Sequence, residues 1–74
     1  MTYVVMESAQ LREGPGKEFR SIRVLPPNLL VEEIEREEEW VHVSFFDYPK
    51  GQEAQGWVSV TLIAEKLVDG RVEQ

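Results

Sequence analysis

The chain has 74 residues and no cysteine, so it is limited to one small domain held by packing, without disulfides, thiolate metal sites or thiol catalysis. Eight Lys and Arg residues against fourteen Asp and Glu residues give a formal net charge of -6, which disfavours nucleic acid and membranes as partners. The N-terminus lacks a basic start followed by an apolar run, and no stretch is apolar enough to span a membrane. The sequence as given predicts a cytoplasmic protein, or an exported one if it is excised from a longer protein.

Two short runs near the N-terminus predict strands. Tyr3 to Met6 is a run of β-branched and aromatic residues, long enough for one strand before polar residues follow. Leu11-Arg12-Glu13-Gly14-Pro15-Gly16 has the composition of a strand that runs into a Gly-Pro-Gly turn. The chain therefore begins as a β protein.

A third strand is predicted after the turn. Ile22 and Val24 alternate with Arg23, and this alternation predicts that the two apolar side chains form the buried face of the strand. Pro26-Pro27-Asn28 ends it, because neither proline has an N–H to donate to a neighbouring strand.

The acidic segment from Leu29 to Trp40 admits two interpretations. Leu30, Ile34 and Val41 fall near helical spacing, with Asn28 placed as a helix cap, and glutamate and leucine favour a helix locally. A helix is therefore one interpretation of this segment.

The residues that follow favour the other interpretation, a β-hairpin. Val41, Val43 and Phe45 alternate with other residues, which predicts a strand with these three side chains on its buried face. Such a strand needs an antiparallel partner, and we interpret Leu30 to Glu35 as that partner. The acidic stretch Glu37-Glu38-Glu39 is then the hairpin loop.

The C-terminal third predicts a long loop and a closing strand. Asp47 to Gly56 is polar, rich in turn formers and longer than the usual hairpin loop of about two to five residues. Gly56-Trp57-Val58 begins the closing strand with an outward tryptophan and an inward valine, and Val60, Leu62 and Ile63 complete the core. We therefore predict an all-β fold, a small barrel of five to six short antiparallel strands.

The predicted barrel occupies residues 1–64. Residues 65–74 are predicted as a flexible tail or as a short C-terminal hairpin that turns at Asp69-Gly70.

These elements, in this order and spacing, resemble the bacterial SH3-like (SH3b) domain family over residues 4 to 64. In that family an arginine and a Gly-Pro pair lie in the first long loop, one tryptophan opens a central strand, and a Gly-Trp-Val element opens the last strand. The residues that carry the resemblance are Leu11-Arg12-Glu13-Gly14-Pro15-Gly16, Phe19, Ile22, Leu25, Val31, Ile34, Trp40-Val41-His42-Val43, Gly56-Trp57-Val58 and Leu62-Ile63.

The resemblance implies an SH3-like barrel that recognises peptides, cell-wall peptides or protein surfaces through a groove between its loops. It implies no catalysis and no cofactor. The ligand is expected to be a protein or peptide of neutral to basic charge, with a peptidoglycan peptide as the alternative.

Alternation places the two tryptophans away from the core. Trp40 and Trp57 lie on strands whose valines face inward, so we expect both indoles to face outward or toward a partly covered groove. Tryptophan and tyrosine dominate binding hot spots, which makes Trp40, Tyr48 and Trp57 candidate ligand-binding residues, together with Arg12. The alternative for Trp57 is a structural role, covering one end of the barrel.

His42 is the only histidine of the chain, so no histidine pair exists for zinc, and no base and orienting acid accompany a catalytic serine. We predict no metal site and no enzyme activity. His42 shares the outward face with Trp40, so it is included among the ligand-binding candidates, with an ordinary surface histidine as the alternative.

Seven carboxylates lie between Glu32 and Asp47, and only Arg36 interrupts the series with a positive charge. Such a concentration can steer a basic partner, with Glu37, Glu38 and Glu39 as the steering residues. It can equally be a solvated hairpin that prevents a sheet edge from pairing with other chains.

The function predicted from the sequence is a non-catalytic module that binds a peptide or a protein surface. The first alternative is a domain that targets a larger exported protein to cell-wall peptides. The second is a structural domain docked in a larger assembly.

Overall fold

Antiparallel strands make up most of the molecule. The computed structural model describes residues 1–65, and these contain one 3-10 helix, Val60–Leu62, besides the strands. The strands are β1 (Thr2–Val5), β2 (Ala9–Arg12), β3 (Ser21–Leu25), β4 (Leu30–Glu37), β5 (Trp40–Asp47), β6 (Gln52–Ser59) and β7 (Ile63–Glu65).

All strand pairs are antiparallel, and the strands form one curled sheet in the order β3-β2-β6-β5-β4-β1-β7. The prediction of a small all-β, SH3-like barrel is confirmed. The predicted number of five to six strands is too low, because the described residues form seven. The prediction for residues 65–74 falls almost wholly outside the described residues.

The core lies on the concave face of the sheet and collects side chains from most of the strands. The predicted inner face of β5 is confirmed, since Val41, Val43 and Phe45 are all buried. The other buried apolar residues are Tyr3, Val5, Ala9, Leu11, Leu25, Val31, Val58 and Ile63. Burial of this apolar surface is the main favourable contribution to folding in a chain without disulfides.

The predicted buried face of β3 is wrong. Ile22 and Val24 are 48% and 50% exposed, while Leu25 is buried and Arg23 is half-buried. The register explains the inversion, because Leu25 lies opposite the buried Ala9 and Arg23 lies opposite the buried Leu11. Residues directly opposite each other point to the same face of a sheet.

The acidic segment is a strand, so the hairpin interpretation is confirmed and the helix alternative is wrong. Strands β4 and β5 run antiparallel and are connected by only two residues, Glu38 and Glu39, since Glu37 still belongs to β4. Glu38 has φ 55°, in the left-handed region that tight hairpin turns require. The expected three-residue loop is thus a tighter turn.

The long loop predicted before Gly56 is also wrong. Strand β6 begins at Gln52, and the turn between β5 and β6 comprises residues 48–51. The backbone N–H groups of Lys50 and Gly51 donate to the carbonyl oxygen of Asp47 at 3.1 and 2.7 Å, which closes this turn. Gly56 therefore lies within a strand and does not begin one.

The end of β6 leads directly into the 3-10 helix. Val60, expected on the closing strand, lies in this helix and is half-buried. Ile63 then enters β7 and pairs with Val5 of β1, which brings the first and last strands together. The helix lies beside the β4–β5 turn, because the backbone N–H of Val60 donates to the carbonyl of Glu39 at 2.9 Å.

Candidate functional site

Trp40 opens β5 immediately after the β4–β5 turn. It lies opposite Ser59 at the end of β6, and its side chain is half-buried, as expected for an indole on the outer side of the sheet. Three segments that are distant in sequence meet around it. They are the loop of residues 13–20, the β4–β5 turn and the 3-10 helix.

Two open clefts flank Trp40, and we call them together the Trp40 groove. The smaller cleft has a volume of about 250 Å³ and is lined by Gln10, Arg12, Lys17, Trp40, Ser59, Thr61 and Leu62. The larger one has a volume of about 570 Å³ and is lined by Pro15, Gly16, Lys17, Glu18, Glu38, Glu39, Trp40, Ser59 and Thr61. Trp40, Lys17, Ser59 and Thr61 border both clefts, so the two form one continuous surface.

The loop of residues 13–20 forms one wall of the groove, and Arg12 holds it in place. One guanidinium nitrogen of Arg12 donates to the carbonyl oxygens of Lys17 and Phe19 at 3.2 and 3.0 Å. The base of the loop is closed by the backbone N–H of Glu13, which donates to the carbonyl of Arg20 at 3.0 Å. Arg12, predicted as a ligand-binding residue, thus positions the loop and also lines the smaller cleft.

The opposite wall is formed by the 3-10 helix. The Ser59 hydroxyl caps this helix by accepting from the backbone N–H of Thr61 at 3.4 Å, and the two hydroxyl oxygens lie 2.9 Å apart. Ser59 and Thr61 were not among the predicted site residues. The only signal for them in the sequence is the Ser-x-Thr spacing after the outward Trp57.

His42 and Trp57 lie on the same outer face but do not line the Trp40 groove. They are direct cross-strand neighbours, and their rings stack at a centroid distance of 4.9 Å with an interplanar angle of 10°. Arg12 of β2 lies opposite Trp57 across the β2–β6 pair, and Glu35 of β4 lies opposite His42 across the β4–β5 pair. The stack covers one face of the indole, which supports the structural role considered for Trp57.

The His42 ring has a buried nitrogen without a hydrogen-bond partner. Its Nδ1 lies 3.5 Å from a carboxylate oxygen of Glu35, within the range of an ion pair but without hydrogen-bond geometry.

Tyr48 lies far from Trp40, so the expected single surface of Trp40, Tyr48 and Trp57 is divided. Strand β5 extends about 23 Å from Trp40 to Asp47 at the usual rise of a strand, and Tyr48 follows it at the far end. It is 77% exposed and packs edge to face with Phe46 at a centroid distance of 4.8 Å. Both aromatic residues border a separate cleft of about 200 Å³, together with Pro26, Leu29 and Pro49.

Asp47 does not belong to the exposed acidic series. It is 4% exposed and forms an ion pair with Arg23 at 2.5 Å, while the guanidinium of Arg23 also lies 5.7 Å from the ring centroid of Phe45. The inward position of Arg23 on β3 is explained by this buried partner. The exposed acidic series therefore ends at Glu39.

The three predicted steering residues are placed differently around the groove. Glu38 and Glu39 line the larger cleft directly. Glu37 lies opposite Trp40 in the β4–β5 pair and borders neither cleft. Carboxylates of the turn are thus close enough to Trp40 to contact a ligand and not only to attract one from a distance.

The described residues offer a surface for binding. Residues 1–65 contain no group of three or more potential ligands that could hold a metal ion. No helix formed by these residues has the length and apolar character needed to cross a membrane. What the Trp40 groove provides is an apolar ring, two hydroxyls and charged side chains at its borders.

A small antiparallel barrel with an open groove around a tryptophan is the architecture of a binding module. The family model of the bacterial SH3 domain matches residues 7–64, and the chain belongs to this family. Comparison with curated proteins and with solved structures gave no match. Bacterial SH3 domains are generally non-catalytic binding modules, SH3-type domains bind peptides or proteins, and the bacterial ones often bind peptidoglycan.

Proposed function

We propose that the domain binds a peptide, or an extended segment on a protein surface, in the Trp40 groove and catalyses no reaction. The observation that carries the proposal is the position of Trp40. Its half-buried indole lies between two open clefts and is bordered by three separate chain segments. Membership of the bacterial SH3 family supports a binding function in general.

The physical chemistry of the groove suits an extended peptide. The exposed part of the indole offers apolar contact at a small cost in conformational entropy, which is why tryptophan is frequent at binding hot spots. The Ser59 and Thr61 hydroxyls each have donor and acceptor capacity for the polar backbone of a ligand. An extended ligand lying along both clefts contacts all of these groups.

The proposal predicts that removal of the indole weakens binding and removal of the distant tyrosine does not. Ligands are selected from a displayed library of random peptides, and their dissociation constants are measured with the intact chain. We expect Trp40→Ala to weaken binding at least tenfold, as for a hot-spot residue, while the matched variant Tyr48→Ala binds as the natural chain does. Backbone amide spectra verify that both variants remain folded.

Two results contradict this site assignment. If folded Trp40→Ala binds the selected peptides with unchanged affinity, the groove is not the site. If Tyr48→Ala is the variant that loses binding, the cleft at the other end of β5 is the site.

A second candidate ligand is a cell-wall peptide, and the family membership favours it, because bacterial SH3 domains often bind peptidoglycan. In this case soluble peptidoglycan fragments shift the indole N–H signal of Trp40 in an NMR titration. The same fragments leave the signals of Tyr48 and its neighbours unchanged. If no signal shifts at millimolar concentrations of the fragments, this ligand is excluded. The peptides selected from the library test the groove independently of this result.

A further inference from the structure

The two clefts of the Trp40 groove carry charges of opposite sign. The smaller cleft is bordered by the cations Arg12 and Lys17, and no carboxylate of residues 1–65 lines it. The larger cleft is bordered by Glu18, Glu38 and Glu39, with Lys17 at the boundary between the two. The groove is therefore polarised, although the chain as a whole has a net charge of -6.

The cationic side is held in a fixed position. Arg12 is half-buried, and one of its guanidinium nitrogens donates to two backbone carbonyls of the loop. A guanidinium has five N–H donors, so further donors are present for an anionic group of a ligand. Because the loop carries Lys17, the same hydrogen bonds hold the backbone of Lys17 beside the cleft that Arg12 lines.

The acidic side is also held in place. Glu38 and Glu39 form a turn of only two residues, and the carbonyl of Glu38 accepts from Nε of Arg36 at 3.3 Å. The carbonyl of Glu39 accepts from the backbone N–H of Val60 at 2.9 Å. The backbone that carries these carboxylates is therefore tied both to β4 and to the 3-10 helix.

We propose that the Trp40 groove selects a segment carrying both an anionic and a cationic group, on opposite sides of an apolar residue that contacts Trp40. The anion lies in the cleft of Arg12 and Lys17, and the cation lies in the cleft of Glu38 and Glu39. The two charges fix the direction in which the segment binds. This inference rests on the proposed function, since it specifies the ligand of the same groove.

The alternatives fit the charge pattern less well. A purely basic ligand, which the net charge alone favours, brings like charges against Arg12 and Lys17. A purely acidic ligand meets the carboxylates of the β4–β5 turn. Unfavourable pairs of this kind are an effective source of specificity, because like charges in contact are costly.

The test uses four blocked peptides of equal length, each with one central leucine. The first has aspartate before and lysine after the leucine, and the second has these two residues exchanged. The third has glutamine at both positions and the fourth has lysine at both. Each peptide is made with one, two or three serine spacers between the leucine and each of the two varied residues. The dissociation constant of each peptide is measured by NMR titration of the intact chain.

We expect one of the two mixed peptides to bind about fivefold more tightly than the glutamine peptide and than its own reversed form. Two partly exposed charge pairs account for a factor of this size, and the advantage decreases as salt is added. Lys17→Glu removes the advantage of the favoured peptide over the glutamine peptide. The control Lys50→Glu makes the same charge change in the β5–β6 turn, at the other end of β5 from Trp40, and has no effect.

Other outcomes overturn the inference in distinguishable ways. If all four peptides bind equally and shift the Trp40 indole signal, the groove binds peptides without charge selection and the proposed function stands. If the lysine peptide binds most tightly, the ligand is simply basic. If no peptide shifts signals around Trp40, the inference and the proposed site both fail.

Discussion

Gly56 shows how a single position is determined by its neighbour across the sheet. It lies within β6, and a Cβ built on it comes within 2.5 Å of Cγ of the buried Leu11. The sequence predicted only that the closing strand begins at this glycine. The structure gives the reason for a glycine here, because the leucine side chain occupies the space that any other side chain needs.

We therefore predict that Gly56→Ala lowers the free energy of unfolding by about 1 to 3 kcal/mol, the usual cost of overpacking a core. Urea unfolding followed by tryptophan fluorescence measures the change. The control Gln55→Ala alters the adjacent exposed residue and is expected to change stability by less than about 0.5 kcal/mol. Equal stability of Gly56→Ala and the natural chain would falsify the close approach of Leu11.

Tyr3 couples stability to alkaline pH. Its hydroxyl donates to a carboxylate oxygen of Glu33 at 2.8 Å, and this hydrogen bond, with burial and the negative charge of Glu33, raises the pKa of Tyr3. A raised pKa means that the fold favours the neutral phenol. The resulting stability is complete below the ordinary tyrosine pKa of about 10 and is lost as the pH rises through the raised value.

Tyr3→Phe is expected to cost about 1 kcal/mol of unfolding free energy at neutral pH, the usual net value of one such hydrogen bond. The natural chain loses this advantage above about pH 10, so the two stability curves converge there. Thermal unfolding of both chains between pH 7 and 11 measures the difference. A difference that stays constant across this range contradicts the coupling.

At the scale of elements, the chief departure from the sequence prediction is the face that β3 buries. Period-two alternation on this strand is equally compatible with Ile22 and Val24 inside or with Arg23 and Leu25 inside. Hydrophobicity favours the first choice, but the structure adopts the second. Arg23 is drawn inward by Asp47, which lies 24 residues further along the chain, and no local pattern reveals such a pair.

The Arg23–Asp47 pair is expected to make β3 sensitive to loss of its arginine. Arg23→Met leaves the carboxylate of Asp47 buried without its cation and lowers the free energy of unfolding by about 2 to 3 kcal/mol. This value lies below the range for fully buried pairs, because about a third of the Arg23 side chain is exposed.

A second variant separates loss of the charge partner from loss of packing. The double variant Arg23→Met with Asp47→Leu removes both charges and recovers at least half of the lost stability. Arg20→Met, at an exposed arginine in the loop before β3, is the control and leaves stability nearly unchanged. If the double variant is less stable than Arg23→Met alone, the buried charge is not the cause.

At the scale of the whole molecule, the fold was predictable because alternation and turn chemistry agree along most of the chain. Val41, Val43 and Phe45 identify the central strand, and Pro26-Pro27-Asn28 marks the end of β3. These signals are local, and they also support the resemblance to the bacterial SH3 family, which the family match confirms.

The candidate site was predictable only in part, because a groove depends on segments that are distant in sequence. Trp40 was singled out from its outward position on β5. The neighbouring Ser59 and Thr61 reach it only through the pairing of β5 with β6. Tyr48 was grouped with Trp40 as another exposed aromatic residue, but eight residues of extended strand separate the two ends of β5. Residue type alone carries no information on this distance.

The pairing of β1 with both β4 and β7 has a consequence for the order in which the chain folds. β1 is synthesised first, yet it has no neighbour until β4 has emerged, and its pairing with β7 connects residues about 60 positions apart. Long-range contacts of this kind slow folding, and small all-β domains with many of them fold in milliseconds to seconds. Until then the apolar side chains of Tyr3 and Val5 remain accessible to water and to chaperones. Among the strands of residues 1–65, β7 is the last to be made, and only its pairing completes the protection of both edges of β1.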